Sequence, residues 1–437
     1  MAKVKVLVLC SDYPPVNSIG AQRPYSWWKY FQKHDAEITI ITKQWDVNKN
    51  YSREEFVQDA WHGETLIEET EEGKIIRIPQ TLILPEKMIL KHGMNKRVIQ
   101  RRSLTFLYRV LSYSRARYDK HYSIYLAAKD ELSKENYDFV VTTGRPFILF
   151  RYGHLLKKDF NFKFIADYRD GWYHNHVSSL AKGLLNKFLR RFELKYEKKF
   201  LQKADYISTV DTYLGSKLQK MHNKPLMIVH NGFWEFAKTD VKPEGQELVL
   251  THTGTLTPGQ RAEFLLDAVS ELVEEKKVKQ GDIKIQFIGL DYFPEQSKRI
   301  KTYRKNLSEL VVTTARIPRE DALTENCKSD FLLSFSEADY KAIFAKTFDY
   351  LSTKRPILLL PDDESMLSEF VQKTNCGFSF KAKEELKTFL LEKIEQKKAG
   401  LLNQTMEINE EAALFYTREK QAESFVQQLI KAKNNTD

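Results

Sequence analysis

Residues 331–360 read FLLSFSEADYKAIFAKTFDYLSTKRPILLL, and this stretch decides the architecture. An apolar strand runs to Phe335, a polar loop follows, a helix carries Lys346, Asp349 and Tyr350, and Lys354-Arg355-Pro356 returns the chain to a second apolar strand at 357–360. Strand, helix and strand in that succession make a piece of mainly parallel sheet covered by a helix. The alternation continues in both directions. Predicted strands cover 4–10, 37–42, 75–78, 139–142, 163–167, 206–209 and 227–229, then 248–253, 284–288, 310–313 and 377–380. Helical patterns fall between them at 22–32, 121–132, 184–201, 262–274, 319–327, 345–352 and 366–373, and helical character then runs through 383–398 and 404–433. The polar, aperiodic run AKTDVKPEGQE at 237–247 reads as a linker. The simplest reading is an α/β chain of two Rossmann-like units in tandem with a cleft between them.

The length agrees, because 437 residues exceed what one core of roughly 100 to 200 residues organises. With 42% hydrophobic and 29% charged residues the chain is globular, neither disordered nor collagen-like. The net charge of +10 is unevenly placed: residues 1–236 hold 39 Lys and Arg against 26 Asp and Glu, whereas 237–437 hold 30 against 33. Within the first half, residues 87–120 carry ten basic residues against Asp119 alone. Such a concentration suggests a polyanionic partner, nucleic acid or an anionic membrane surface. No stretch approaches the ~20 apolar residues that span a bilayer, and the apolar run near the N-terminus is too short for a signal-peptide core. The three cysteines lie far apart with no CxxC pair, so neither a disulfide framework nor a metal site is expected, and a cytoplasmic setting fits.

Ligands of open α/β sheets bind beyond the carboxyl ends of the strands, so the loops there are the candidate sites. After the first strand comes SDYPPVNSIGAQR, where Gly20 permits close backbone approach and Arg23 in the first helical turn could pair with a phosphate. It is not a GxGxxG dinucleotide fingerprint, and an ordinary turn with a surface Arg is the plain alternative. The fifth strand leads into DYRDGW, where Asp167 and Asp170 around an Arg could orient sugar hydroxyls, take a proton, or form a purely structural ion pair within the motif. His154 and His174 are weaker candidates, since an isolated His is more often structural. Asn231-Gly232 is a turn signal at the close of the first unit. The second unit opens THTGTLTPGQRAE, a glycine-containing loop feeding a helix, with Gly254 and Arg261 as phosphate contacts; it lacks the GK[ST] ending of a nucleotide-hydrolysing P-loop. Lys346 and Asp349 are one turn apart on one helix face, where a cation for a diphosphate and a carboxylate for ribose hydroxyls could sit together; a surface ion pair is the alternative.

Taken in order, PPVNSIGAQR, DYRDGW, ADYIST, IVHNGF, HTGTL, KTFDYLSTKRPIL and YTREKQAESFVQQLI resemble the landmarks of the family 4-type (group 1) GT-B retaining glycosyltransferases, over nearly the whole chain. That resemblance implies an acceptor domain at 1–236, a linker at 237–247, a nucleotide-sugar domain at 248–412 and a last helix within 413–437 that crosses back to the first domain. It implies a nucleotide-sugar donor, with UDP before GDP as the carrier, no cofactor and no metal. Gly20 matches the glycine near the donor diphosphate, Arg261 the phosphate-binding cation, and Asp349 the second of two glutamates eight positions apart, which holds the ribose. The first of that pair falls on Lys341, a reversal of charge, while Lys346 fits the subgroups with a Lys-x-x-(Glu/Asp)-Tyr-Leu helix. Asp167, Asp170, Arg261 and Lys346 are the expected catalytic residues; Gly20, Arg23, Gly254, Arg261, Lys346 and Asp349 the expected donor contacts. The basic segment, interleaved with Met88, Ile89, Leu90, Phe106 and Leu107, then suits a glycan or lipid-linked acceptor at the inner face of the membrane, with no nucleic acid. Two alternatives stand beside this: a sugar-nucleotide epimerase on the same scaffold, and a membrane- or nucleic-acid-binding protein with a degenerate site.

Overall fold

The computed structural model describes residues 3–16, 18–45, 63–174, 184–238, 241, 243–337, 340–403 and 405–435. Asn17, Ala338 and Asp339 of the quoted motifs, and 239, 240 and 242 of the expected linker, lie outside them. The chain divides into two compact units, Met1–His230 with Glu419–Asp437, and Asn231–Arg418.

The first unit is built on an eight-stranded sheet of β1 (Val4–Leu9), β2 (Ala36–Lys43), β3 (Leu66–Glu69), β4 (Lys74–Ile78), β5 (Phe139–Gly144), β6 (Lys163–Tyr168), β7 (Tyr206–Thr209) and β8 (Leu226–Ile228). Their order is β3-β4-β2-β1-β5-β6-β7-β8. Every neighbouring pair is parallel except β3 with β4. The central strands are largely buried along their length, as in a parallel sheet covered on both faces; β1 (VKVLVL) is interrupted only by the partly buried Lys5, and β5 is buried throughout. Ser18 caps the helix Ile19–Tyr30 by accepting from the Ala21 amide at 3.1 Å.

The last helix, Arg418–Asn434, packs on this first unit. Ala422, Phe425, Val426, Leu429 and Ala432 recur at helical spacing and are buried. The Phe425 ring meets Trp27 and Phe31 at 5.1 and 5.9 Å, Gln428 donates to the Ile228 carbonyl at 3.1 Å, and Lys433 pairs with Asp138 at 2.7 Å.

The second unit has a six-stranded parallel sheet of β9 (Leu248–Thr253), β10 (Ile283–Ile288), β11 (Val311–Thr313), β12 (Phe331–Phe335), β13 (Ile357–Leu360) and β14 (Gly377–Ser379), in the order β11-β10-β9-β12-β13-β14. The boundary differs from the expected linker: residues from Asn231 onward already belong to this unit. Phe233 is buried in its core, Ala237 donates to Ser352, and Arg355 donates to the Val241 carbonyl. Gly232 is where a side chain would strike the Tyr416 carbonyl, so the 231–233 and 416–418 segments can run side by side, with Phe233 bonded to both Tyr416 and Arg418.

Candidate functional site

Strand order reverses in the six-stranded sheet between β9 and β12, and ligands of open α/β sheets bind outside the carboxyl ends at such a point. β9 delivers the loop that begins at Gly254; β12 delivers Ser336 and Glu337. Gly254 has φ +88, and a side chain there would meet nothing within 4 Å, so the backbone lies open on that side. The rest of the loop is fixed from within: Thr257 donates its amide to Gln260 at 2.9 Å and its hydroxyl to Glu337 at 3.0 Å.

Lys346 stands in the first turn of the helix Ala345–Ser352. Its Nζ donates to the Thr255 carbonyl at 2.5 Å and to His252 Nε2 at 2.9 Å. The His252 Nδ1 lies 2.9 Å from the Leu333 carbonyl, so the ring proton belongs on Nδ1 and Nε2 is the acceptor. Burial, reinforced by the Lys346 charge, pushes His252 down to about 3, and burial lowers Lys346 to about 7. Tyr350 on the same helix accepts from the Thr253 amide at 2.8 Å, which ties the helix to the end of β9. Asp349 is held by Arg319, from the start of the helix Arg319–Cys327.

Arg261 donates to Ser336 Oγ at 2.7 Å, and its nearest carboxylate, Asp363, is 3.8 Å away. Both Asp363 oxygens are buried without a hydrogen bond. Lys341 is exposed and donates to the Asp363 carbonyl at 3.1 Å. The second unit therefore brings Gly254, Arg261, Lys346 and Asp349 to the loops and helix starts at one edge of its sheet.

The first unit corrects two expectations. Arg23, expected to face a phosphate, and Asp167, expected on the acceptor side, satisfy each other in the interior. Arg23 Nη2 reaches Asp167 Oδ1 at 2.7 Å, Ser208 adds a bond at 2.8 Å, and the remaining guanidinium nitrogen donates to Val229. Neither side chain is more than 3% exposed. Gly20 is a place of close approach, but the group lying against it is the Arg169 guanidinium, which also donates to the carbonyls of Gly144 and Arg145. Asp170 remains half-exposed with Arg145 at 3.6 Å. His154 is lowered to about 4 and His174 is also lowered, both chiefly by burial.

Sequence reasoning passed over His252, Arg319 and Arg169. His252 and Arg169 lie inside the quoted motifs HTGTL and DYRDGW, and a polar residue at a strand's carboxyl end was the available signal; nothing local marks Arg319. Among the described residues no group of three or more His, Cys, Asp and Glu is placed to hold a metal ion.

No protein-family model and no curated protein sequence matches the chain. Solved structures do. The sucrose-phosphate synthase of Thermosynechococcus elongatus is similar over 98% of this chain and 100% of its own, at 14% identity and a TM-score of 0.57. The Anabaena protein HepE, solved with UDP and glucose, is similar over 98% and 100% at 12% identity and a TM-score of 0.56. The lipopolysaccharide outer core galactosyltransferase WaaB is similar over 98% and 100% at 11% identity and a TM-score of 0.54. The fold is GT-B. At these identities the likeness speaks for the fold alone.

Proposed function

We propose that the protein is a glycosyltransferase that moves a sugar from a nucleoside diphosphate, UDP first, to a polysaccharide or lipid-linked acceptor, with retention and without a metal or other cofactor. The observation that carries this reading is the gathering of two cations, Lys346 and Arg261, and an open glycine loop where strand order reverses in the six-stranded sheet. When the bond from the anomeric carbon to the phosphate oxygen breaks, negative charge grows on the diphosphate, and preorganised cations stabilise it. Asp349, oriented by Arg319, is offered to the ribose hydroxyls. HepE, with the same fold, was solved with UDP and glucose, which supports UDP as the first carrier to test.

On the acceptor side, Asp170 is the accessible acid and Asp167 is not. The segment 87–120 forms the helices Leu84–His92 and Val98–Ser114. Ile99, Phe106 and Leu107 stand exposed among Arg97, Arg102 and Arg109, a mixed apolar and basic face suited to the anionic cytoplasmic surface of a membrane. Among the described residues no helix is long and apolar enough to cross one. The test is a thermal-shift and donor-hydrolysis panel of UDP-, GDP- and ADP-sugars. A ligand at 100 times its Kd adds about 2.7 kcal/mol of stability, and silence across the panel would sink the reading.

A further inference from the structure

We infer that His252 is a positioning residue for the donor diphosphate, acting through Lys346, and that binding of a sugar nucleotide draws up to one proton from solvent onto Lys346. The inference rests on the glycosyltransferase reading and names the group that sets its pH dependence. His252 is fully buried near the end of β9, flanked by the Phe287 and Phe335 rings at 5.8 and 5.3 Å. Its Nδ1 is committed to the Leu333 carbonyl on β12, so the ring cannot turn without leaving that bond. Nε2 then has only a lone pair to offer, and Lys346 Nζ is its donor at 2.9 Å.

An ammonium has three N–H donors. Two of these go to His252 and to the Thr255 carbonyl, both neutral, which leaves one for a ligand. The charged and titratable groups around it are few. His252 faces it from β9. On its own helix Asp349 is engaged by Arg319, and Tyr350 is engaged by Thr253. Among the described residues Lys346 enters no ion pair. An ammonium held by neutral acceptors and partly desolvated loses its proton more readily, and Lys346 is lowered to about 7 by that burial. His252, at about 3, does not take the proton up. Around neutrality part of the free protein therefore carries a neutral amine here, and a diphosphate placed beside it favours the ammonium, so that a fraction of a proton, rising toward one with pH, is taken from solvent per bound donor.

The experiment is isothermal titration calorimetry of the full chain with UDP-glucose, whose diphosphate does not ionise near neutrality, in buffers of differing ionisation enthalpy. GDP-glucose and ADP-glucose follow if UDP-glucose is silent. Linkage gives an uptake of about 0.5 proton at pH 7 and about 0.9 at pH 8, and an affinity that weakens roughly fifteenfold between pH 7 and 8.5. Lys346→Met removes the uptake. His252→Phe weakens binding roughly tenfold at pH 7, and His252→Gln, which keeps an acceptor toward Lys346, restores most of it. If His252 were only a packing residue, both His252 variants would lower thermal stability and leave affinity alone. Binding whose enthalpy ignores the buffer and whose affinity is flat from pH 7 to 8.5 overturns the inference on the wild-type chain alone and leaves glycosyl transfer standing. Silence toward all three sugar nucleotides removes both.

Discussion

Arg23→Met is expected to lower the stability of the first unit by about 3–5 kcal/mol, the usual cost of stranding one member of a buried ion pair. The geometry places it in that range. Arg23 Nε reaches both Asp167 oxygens at 3.2 and 3.1 Å and Nη2 closes on Oδ1 at 2.7 Å, while Nη1 donates to the Val229 carbonyl at 2.6 Å. The guanidinium also lies 5.0 Å from the Trp27 ring centre. Its loss leaves a carboxylate and a carbonyl inside the protein with their partner gone. A domain of this size loses about 2–4 °C of Tm per kcal/mol, so a fall of about 10 °C is expected. The double variant Arg23→Met/Asp167→Leu should recover much of that, since an apolar pair of similar volume is often as stable as the ions it replaces. Scanning calorimetry and urea unfolding of the single and double variants, with donor hydrolysis measured well below every Tm, separate the two roles of Asp167. Retention of the wild-type Tm in Asp167→Asn together with loss of transfer would refute the structural assignment, and so would a double variant no more stable than Arg23→Met.

Phe425→Ala should cost about 3–5 kcal/mol, because the ring fills the space between Trp27 and Phe31 and the last helix docks through it; urea unfolding checks this, and a cost below 1 kcal/mol would show that the helix is held elsewhere. Asp119 is raised to about 6, chiefly by burial, above its ordinary 3.8. The folded state then binds the extra proton between those values, so the cost of its charge grows from about pH 4 and is complete above about pH 6; Asp119→Asn should raise Tm relative to wild type at pH 8, with the gain gone by pH 4. Vesicles containing anionic lipid should sediment the wild-type chain at low salt, and Arg101→Glu/Arg102→Glu/Phe106→Ser should weaken that binding at least tenfold, at about 1 kcal/mol per basic residue. Undiminished binding by the triple variant would remove the membrane role of this segment.

The strands were legible because most are buried on both faces, so VKVLVL at β1 or FLLSF at β12 announces itself without any partner in view. β3 was not: LIEE is a short, exposed edge strand paired antiparallel to β4, and neither length nor burial separates it from a loop. The unit boundary shifted because 231–236 (NGFWEF) directly follows the last strand of the first sheet and precedes the polar run at 237–247, yet Phe233 is anchored by backbone bonds to Tyr416 and Arg418, nearly two hundred residues away. The same distance problem hid the fate of Asp167. An acid at a strand end reads alike whether it faces a ligand or an arginine 144 positions earlier, and only the packed sheet decides. Lys346 and Asp349 were legible as a pair one helical turn apart, but that each has its own outside partner, His252 and Arg319, was not.

On the proposed reading, those partners would let a unit poor in positive charge hold a diphosphate. Residues 231–418 contain 27 basic and 31 acidic side chains, and away from the carboxyl ends of β9 and β12 several partly buried cations are closed off by carboxylates: Arg299 by Glu263 at 2.6 Å, Lys387 by Glu275 at 2.7 Å, Lys397 by Asp330 at 2.8 Å. Where β9 and β12 end, the pattern changes. Lys346 rests on a neutral imidazole and a carbonyl, and Arg261 on a hydroxyl with its nearest carboxylate no closer than 3.8 Å. A closed ion pair would have to be broken before either cation could meet a phosphate, at the expense of the carboxylate left behind. For Lys346 neutral acceptors impose no such cost: they fix the direction of the N–H groups and leave the charge free of a carboxylate. The low proton affinity of Lys346 follows from the same arrangement, because a cation kept free of a carboxylate in a partly dry place is one whose charge is stabilised only when an anion arrives.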